Sequence, residues 1–278
     1  MKAFTSVSEL RSELDRTNRA GVGFVPTMGA LHAGHRSLVE RARRECETVV
    51  VSVFVNPTQF NDKNDLRNYP RTPEADLALL EEAGADYVLM PSVEEIYPEP
   101  DTRVFDFGEV DKVMEGATRP GHFNGVGQVV SRLFEIVQPA RAYFGEKDFQ
   151  QIAVIRAMVR QLGLPVEIVD CPIVREADGL ALSSRNTLLD AGHRAAAPHI
   201  WEVLSQCAER SQSMTPAELT AWVTAEVERN PLLKVIYFAP VDALTMQTVA
   251  SWSDAAHVQG CIAVQAGAVR LIDNTRIR

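Results

Sequence analysis

The chain lacks the short motifs that most often announce nucleotide or acyl chemistry. It has no Gly-x4-Gly-Lys-[Ser/Thr] loop, and Gly21-x-Gly23 continues to Pro26 where a dinucleotide fingerprint needs glycine. No Gly-x-Ser-x-Gly elbow offers a hydrolase serine. Cysteine is scarce and scattered: the four, Cys46, Cys171, Cys207 and Cys261, show no close pairing. That spacing excludes a zinc or redox motif and reads as free thiols in a reduced compartment. No apolar run approaches the roughly 20 residues that span a bilayer. Residues 1–20 carry charges throughout, unlike a signal peptide. Positive charge is also in deficit, with 28 Lys and Arg against 37 Asp and Glu and a net charge of -9. General affinity for nucleic acid or an anionic membrane is thereby excluded. The expectation is a soluble, cytoplasmic protein, and a small anionic substrate stays open because a local field can oppose the net charge.

What is present is ordinary globular material: 278 residues, 46% hydrophobic and 23% charged, about enough for two domains. Short apolar runs alternate with helical patterns. Strands are expected at 22–25, 48–55, 85–90, 141–144 and 166–171, and helices at 8–18, 36–46, 73–83, 126–137 and 149–162. The run Thr48–Val55 is β-branched and apolar without alternation, the mark of a parallel strand covered on both faces. This alternation predicts an α/β fold with a doubly wound parallel sheet, whose ligands gather outside the carboxyl ends of the strands. After Ile173 the texture changes. A loop rich in Ser, Arg and Asp precedes a helix around 195–211 and a second from Pro216, with Thr215 as N-cap and Glu218 completing a capping box. Apolar stretches at 234–239, 261–264 and 269–272 follow, giving a smaller α+β domain.

Five segments carry candidate chemistry. Directly after the first strand, Pro26-Thr-Met28-Gly29-Ala30-Leu31-His32-Ala33-Gly34-His35 brings glycines and two histidines to the start of a helix. Free N–H groups and the dipole there favour phosphate, and each histidine is able to donate to a phosphate oxygen. A glycine turn with two incidental histidines, or a metal site, are the competing readings. Phe54-Val-Asn56-Pro57-Thr-Gln59 ends the strongest strand and presents uncharged amides suited to hydroxyl or carboxylate groups, or a plain polar turn. Glu115 to Gly127, with Arg119 and His122, reads as a close-fitting loop before a helix and decides little. Gly145-Glu146-Lys147-Asp148 runs from strand end to helix, with Lys147 opposing the helix dipole and Gln151 one turn further on. Asp148 suits that position on capping grounds alone. Leu182-Ser183-Ser184-Arg185 offers hydroxyls and a guanidinium for phosphate oxygens, or a common surface turn.

Taken in order, these segments with Tyr69-Pro-Arg-Thr and Leu271-Ile-Asp-Asn274 resemble the pantothenate synthetase family, within the His-x-Gly-His nucleotidyltransferase-like group, over almost the whole chain. The resemblance implies a Rossmann-like ATP- and pantoate-binding domain at 1–173 and a small C-terminal lid domain at 174–278. It implies a cytoplasmic homodimer in coenzyme A biosynthesis that condenses (R)-pantoate with β-alanine through a pantoyl adenylate, releasing AMP and pyrophosphate. His35, His32 and Lys147 would be catalytic. ATP would be bound by Met28 to His35, Gly145 to Asp148, Val174 and Leu182 to Arg185. Gln59 and Gln151 would hold pantoate, and Gln59 would also lie at the β-alanine position. Asn56, Glu115 and Arg119 match positions near the site. Magnesium is expected to accompany ATP, with Asp76 a candidate ligand. The rival readings are a nucleotidyltransferase of the same group acting on a phosphorylated acceptor, and a non-catalytic nucleotide-sensing module.

Overall fold

A computed structural model describes residues 1–61 and 63–278. The chain divides into two compact units, the first formed by residues 1–107, 119–146 and 154–172, the second by 108–118, 147–153 and 173–278.

The first unit is built on a six-stranded, all-parallel sheet. Its strands are β1 (Lys2–Phe4), β2 (Val22–Thr27), β3 (Thr48–Val53), β4 (Tyr87–Leu89), β5 (Arg141–Gly145) and β6 (Glu167–Cys171), in the order β1-β4-β3-β2-β5-β6. The unalternating run that opens at Thr48 is buried along its centre, as a strand covered on both faces must be. Strand β1 escapes a pattern reading because Lys2-Ala-Phe4 is too short to show a period; it forms by pairing in parallel with β4 at the sheet edge. The chain steps outward from β2 to β3 and β4, then returns to place β5 on the other side of β2, with Gly23 opposite Arg141. The carboxyl ends of β2 and β5 are therefore the switch point of the sheet, where a parallel α/β sheet opens a crevice for ligand.

The helices Ala33–Glu45, Pro73–Ala83 and His122–Val137 agree in place with the helical periodicity, but the first starts three residues before 36 and the last four residues before 126. Part of the glycine-rich stretch read as a loop is thus helical, and Gly125 and Gly127 lie inside it. Leu38, Val39 and Ala42 of the first helix pack with Val49, Val51, Leu80, Val88 and Tyr143 in one core cluster.

The second unit holds the antiparallel sheet β7 (Leu233–Asp242), β8 (Val258–Ala266) and β9 (Val269–Arg276). The helix Pro216–Val227 opens on the expected Thr215–Glu218 capping box. The single helix expected over 195–211 is instead three short pieces, Ala191–Ala196, His199–Leu204 and Cys207–Arg210. Pro198 lies at the first break, where it has no N–H to continue a ladder. The helix Phe149–Leu162 begins in the second unit and continues in the first. All four cysteines are free thiols, and burial raises those of Cys171 to about 11 and of Cys207 and Cys261 to about 12.

Candidate active site

In the first unit, β2 runs directly into the segment from Met28 to His35. His32 is the N-cap of the helix Ala33–Glu45 and His35 its third residue, so the two rings occupy the positions of a capping box. His32 Nδ1 accepts from the Gly34 N–H at 3.1 Å, and His35 Nδ1 accepts from the His32 N–H at 3.4 Å. A backbone N–H only donates, so each Nδ1 must carry a lone pair, and each neutral ring holds its proton on Nε2. The ring centroids are 4.1 Å apart. Two Nε2–H groups beside a helix N-terminus have the chemistry to donate to an anion. This is more specific than the sequence allowed, because it fixes the tautomer.

The turn that delivers these rings is strained. Gly29 has φ 80° and Ala30 has φ 50°, and the left-handed region costs an L-residue roughly 1–2 kcal/mol. The carboxylate of Asp76, only 2% exposed, meets this turn from the helix Pro73–Ala83. Its Oδ2 accepts from Ala30 N–H at 3.0 Å and its Oδ1 from Leu31 N–H at 2.8 Å. Thr72 Oγ1 donates to Oδ1 at 3.0 Å. Charge-assisted hydrogen bonds contribute about 1.5–3 kcal/mol each, so two of them outweigh the strain at Ala30. Among the described residues, no group of three or more His, Cys, Asp or Glu could hold a metal ion.

Gln59 closes the one-turn helix Pro57–Gln59 after β3 and is 8% exposed. Its Nε2 points to Met28 Sδ at 2.9 Å, placing this amide beside the start of the histidine segment. Asn56 braces it: Nδ2 reaches Gly125 O at 3.2 Å, while its Oδ1 accepts from Tyr97 OH at 3.0 Å. Burial lifts the Tyr97 hydroxyl to about 12, so it keeps its proton and donates. His122 Nδ1 donates to the Gln59 carbonyl at 2.8 Å, leaving Nε2 to accept from Arg119 Nη1 at 3.1 Å. Arg119 and His122 thus support the Gln59 turn. Gly125 completes the support and was not singled out by sequence reasoning. A Cβ there would stand 2.5 Å from Thr58 O and 2.8 Å from Gln59 Cα. Gly145 and Glu146 stand at the carboxyl end of β5, and Glu146 has its carboxyl raised by burial, then by Asp170 nearby.

In the second unit, Lys147 lies in the turn Glu146–Asp148 with its ammonium 3.5 Å from Asp148 Oδ2. Its carbonyl accepts from Asn274 Nδ2 at 3.1 Å, and Gln259 Nε2 holds Asn274 Oδ1 at 2.7 Å. Gln150 is spent on structure, reaching Glu115 N, Val110 O and Val113 O. Its neighbour Gln151 is half-buried. Val174 and Leu182 are joined by a 3.0 Å backbone bond across the hairpin that pairs Arg175 with Ala181. Ser183 caps the turn Ser184–Leu188 by accepting from Arg185 N–H at 3.3 Å. Glu115, at 7% exposed, is held by Tyr237 OH at 2.9 Å and by Arg270, so its charge is committed inside this unit. Asn274 had no signal beyond its place in Leu271-Ile-Asp-Asn274.

Residues 2–276 match the profile of the pantoate-beta-alanine ligase family. The chain belongs to that family. A pantothenate synthetase of Porphyromonas gingivalis (strain ATCC 33277) is 59% identical over 278 residues, 99% of each chain. One from Bacteroides thetaiotaomicron is 56% identical over 280 residues, covering 100% of this chain and 99% of that one. The crystal structure of pantothenate synthetase from Thermus thermophilus superposes with a TM-score of 0.94 at 49% identity, covering 100% of this chain and 99% of that one. The pantoate-beta-alanine ligase of Francisella tularensis, solved with beta-gamma ATP and beta-alanine, gives a TM-score of 0.84 at 35% identity, over 100% of this chain and 98% of that one. The two-sheet architecture of this ligase is thus the family's own, and the chain is an enzyme of the acid–amine ligase class.

Proposed function

We propose that the protein condenses (R)-pantoate with β-alanine at the expense of ATP, through a pantoyl adenylate. In the first step a pantoate carboxylate oxygen attacks the α-phosphorus of ATP, and the bond to the β-phosphate oxygen breaks to release pyrophosphate. In the second the β-alanine nitrogen attacks the activated acyl carbon, and AMP leaves as pantothenate forms. The observation that carries this reading is the histidine pair at a helix N-terminus, with Nδ1 of each ring engaged by backbone N–H groups and the buried Gln59 amide directed at Met28. His32 and His35 would donate Nε2–H to phosphate oxygens, stabilising charge that grows as the phosphate transfers. Lys147 would neutralise the transferring phosphate. Met28 to His35, Gly145 to Asp148, Val174 and Leu182 to Arg185 would contact ATP. Gln59 and Gln151 would hold pantoate by uncharged hydrogen bonds, and Gln59 would border β-alanine.

Magnesium would arrive on the triphosphate and temper its charge. Catalysis then rests on orientation and charge stabilisation, with no covalent enzyme intermediate. The working form would be a cytoplasmic homodimer, in keeping with the family resemblance. No helix among the described residues is long and apolar enough to cross a membrane.

The test is pyrophosphate release from ATP and magnesium, first with pantoate alone and then with β-alanine. Pantoate-dependent release, followed by AMP and pantothenate once the amine is added, is the expected result. His35→Ala should fold normally and lose about two to four orders of magnitude in kcat, the range for removing one charge-stabilising donor or proton-handling group. ATP turnover indifferent to pantoate and β-alanine would defeat the assignment, and an adenylylated phosphate product would point to a phosphorylated acceptor.

A further inference from the structure

We infer that Asp76 is a positioning residue for the ATP-binding segment and acts as a backbone clamp, not as a metal ligand. The inference rests on the functional reading above and adds a residue that acts through others. Three observations converge. Both Asp76 oxygens are engaged by successive main-chain N–H groups, those of Ala30 and Leu31, and Thr72 adds a third donor. The residue they hold, Ala30, sits at φ 50°, a conformation an L-residue keeps only when its surroundings impose it. Gly29 beside it leaves room for the carboxylate, since a Cβ there would stand 3.0 Å from Asp76 Oδ2 and 3.0 Å from Val53 Cγ1.

The consequence lies one residue further along. Leu31 is followed directly by His32, the N-cap of its helix, and the His32 N–H is the donor that sets the His35 ring. A carboxylate holding 30 and 31 therefore sets the direction from which the chain enters the cap, and through it both histidine rings. Asp76 itself lies in the first turn of the helix Pro73–Ala83, where its negative charge is favoured by the dipole. A clamp needs two acceptor oxygens facing two donors. A carboxylate meets that requirement; an amide does not, because one of its ends is a donor facing a donor.

Asp76→Asn is the first test, with Ala30→Gly as its partner. Glycine takes the left-handed conformation without strain, so a clamp that exists to hold Ala30 becomes less necessary once Ala30 is glycine. Asp76→Asn should raise the KM for ATP about tenfold or more and leave the magnesium concentration for half-maximal rate unchanged at saturating ATP. Asp76→Asn/Ala30→Gly should recover at least threefold of the lost kcat/KM for ATP. An unchanged KM for ATP, or a raised magnesium requirement that Ala30→Gly does not relieve, overturns the clamp. Amide hydrogen exchange in the unmutated protein keeps the inference testable if the variant fails to fold. The Ala30 and Leu31 amides should be protected without ligand, and free exchange at both would refute the clamp. Binding of a non-hydrolysable ATP analogue to the same variants separates the two readings: if the unmutated protein makes no pantothenate, the functional reading falls, while the analogue's affinities still report on the clamp.

Discussion

Gly125 shows how much of a site can depend on a residue with no side chain. Its helix crosses the Pro57–Gln59 turn so closely that a single added methyl meets the Thr58 carbonyl at 2.5 Å. Two effects of Gly125→Ala oppose each other. Alanine favours a helix interior by about 1 kcal/mol over glycine. Overpacking against backbone, which cannot rotate away, costs about 1–3 kcal/mol, and a contact this short belongs at the upper end. Overpacking wins, and the turn carrying Gln59 is what moves. The expected outcome is a KM for pantoate raised at least tenfold with a much smaller change in the KM for ATP, because the three atoms nearest a Cβ at Gly125 all belong to Thr58 and Gln59. Steady-state kinetics with each substrate varied in turn would check this. Equal changes in both KM values would show that the whole unit had loosened instead. The glycine itself was visible in the sequence as one of a rich cluster; its partner was not, since Thr58 lies 67 positions away and only the helix crossing brings them together.

At the scale of elements, local signals decided what could be read. Parallel strands β2, β3 and β5 show in sequence because burial on both faces leaves a largely apolar run, and the Thr215–Glu218 box marks its helix because the capping geometry is contained in four residues. The Met28–His35 segment was legible as a glycine turn leading into a helix start for the same reason. What stayed hidden are interactions set by register and long-range return of the chain: β1, the Asp76 carboxylate on Ala30 and Leu31, and Asn274 on the Lys147 carbonyl. Strand β9 also carries Asp273, 6% exposed, whose two oxygens meet Arg175 at 2.6 and 3.0 Å, while the guanidinium stacks 3.5 Å from the Trp201 ring centre. This pair ties the Arg175–Ala181 hairpin, and so the approach to Leu182–Arg185, onto β9. Removing one partner of a buried pair strands the other charge, at about 3–5 kcal/mol. Asp273→Ala should lower Tm by roughly 10 °C. The double variant Arg175→Met/Asp273→Leu, which leaves no buried charge, should cost less than Asp273→Ala alone. Calorimetry on both variants decides the point: a double variant as damaged as the single one would mean that shape, and not charge, is what the pair supplies.

On the scale of the whole molecule, chain order and structural unit part company. Everything after 173 lies in the second unit, yet that unit also takes residues 108–118 and 147–153. Those short pieces are built into its interior. Met114 packs with Val241, Met246 and Cys261, joined by Val110, Val113, Phe149 and Ala153. Glu115 answers the Arg270 guanidinium and accepts from Tyr237, whose hydroxyl burial pushes far above its usual range and keeps protonated. A fragment consisting of residues 174–278 alone would keep its three strands but lose the apolar residues covering Met246 and the carboxylate facing Arg270. The fragment loses that ion pair together with the apolar burial around Met246, against a total stability of only about 5–15 kcal/mol for an ordinary domain. The fragment should therefore bind a hydrophobic dye and lack a cooperative thermal transition. Joining 108–118 to it through a flexible glycine-serine linker should restore part of that cooperativity, and Glu115→Gln in the linked segment should remove the gain. A bare 174–278 fragment that melted as sharply as the full chain would show that the two inserted pieces are passengers, and that the second unit ends where the sequence first changes texture.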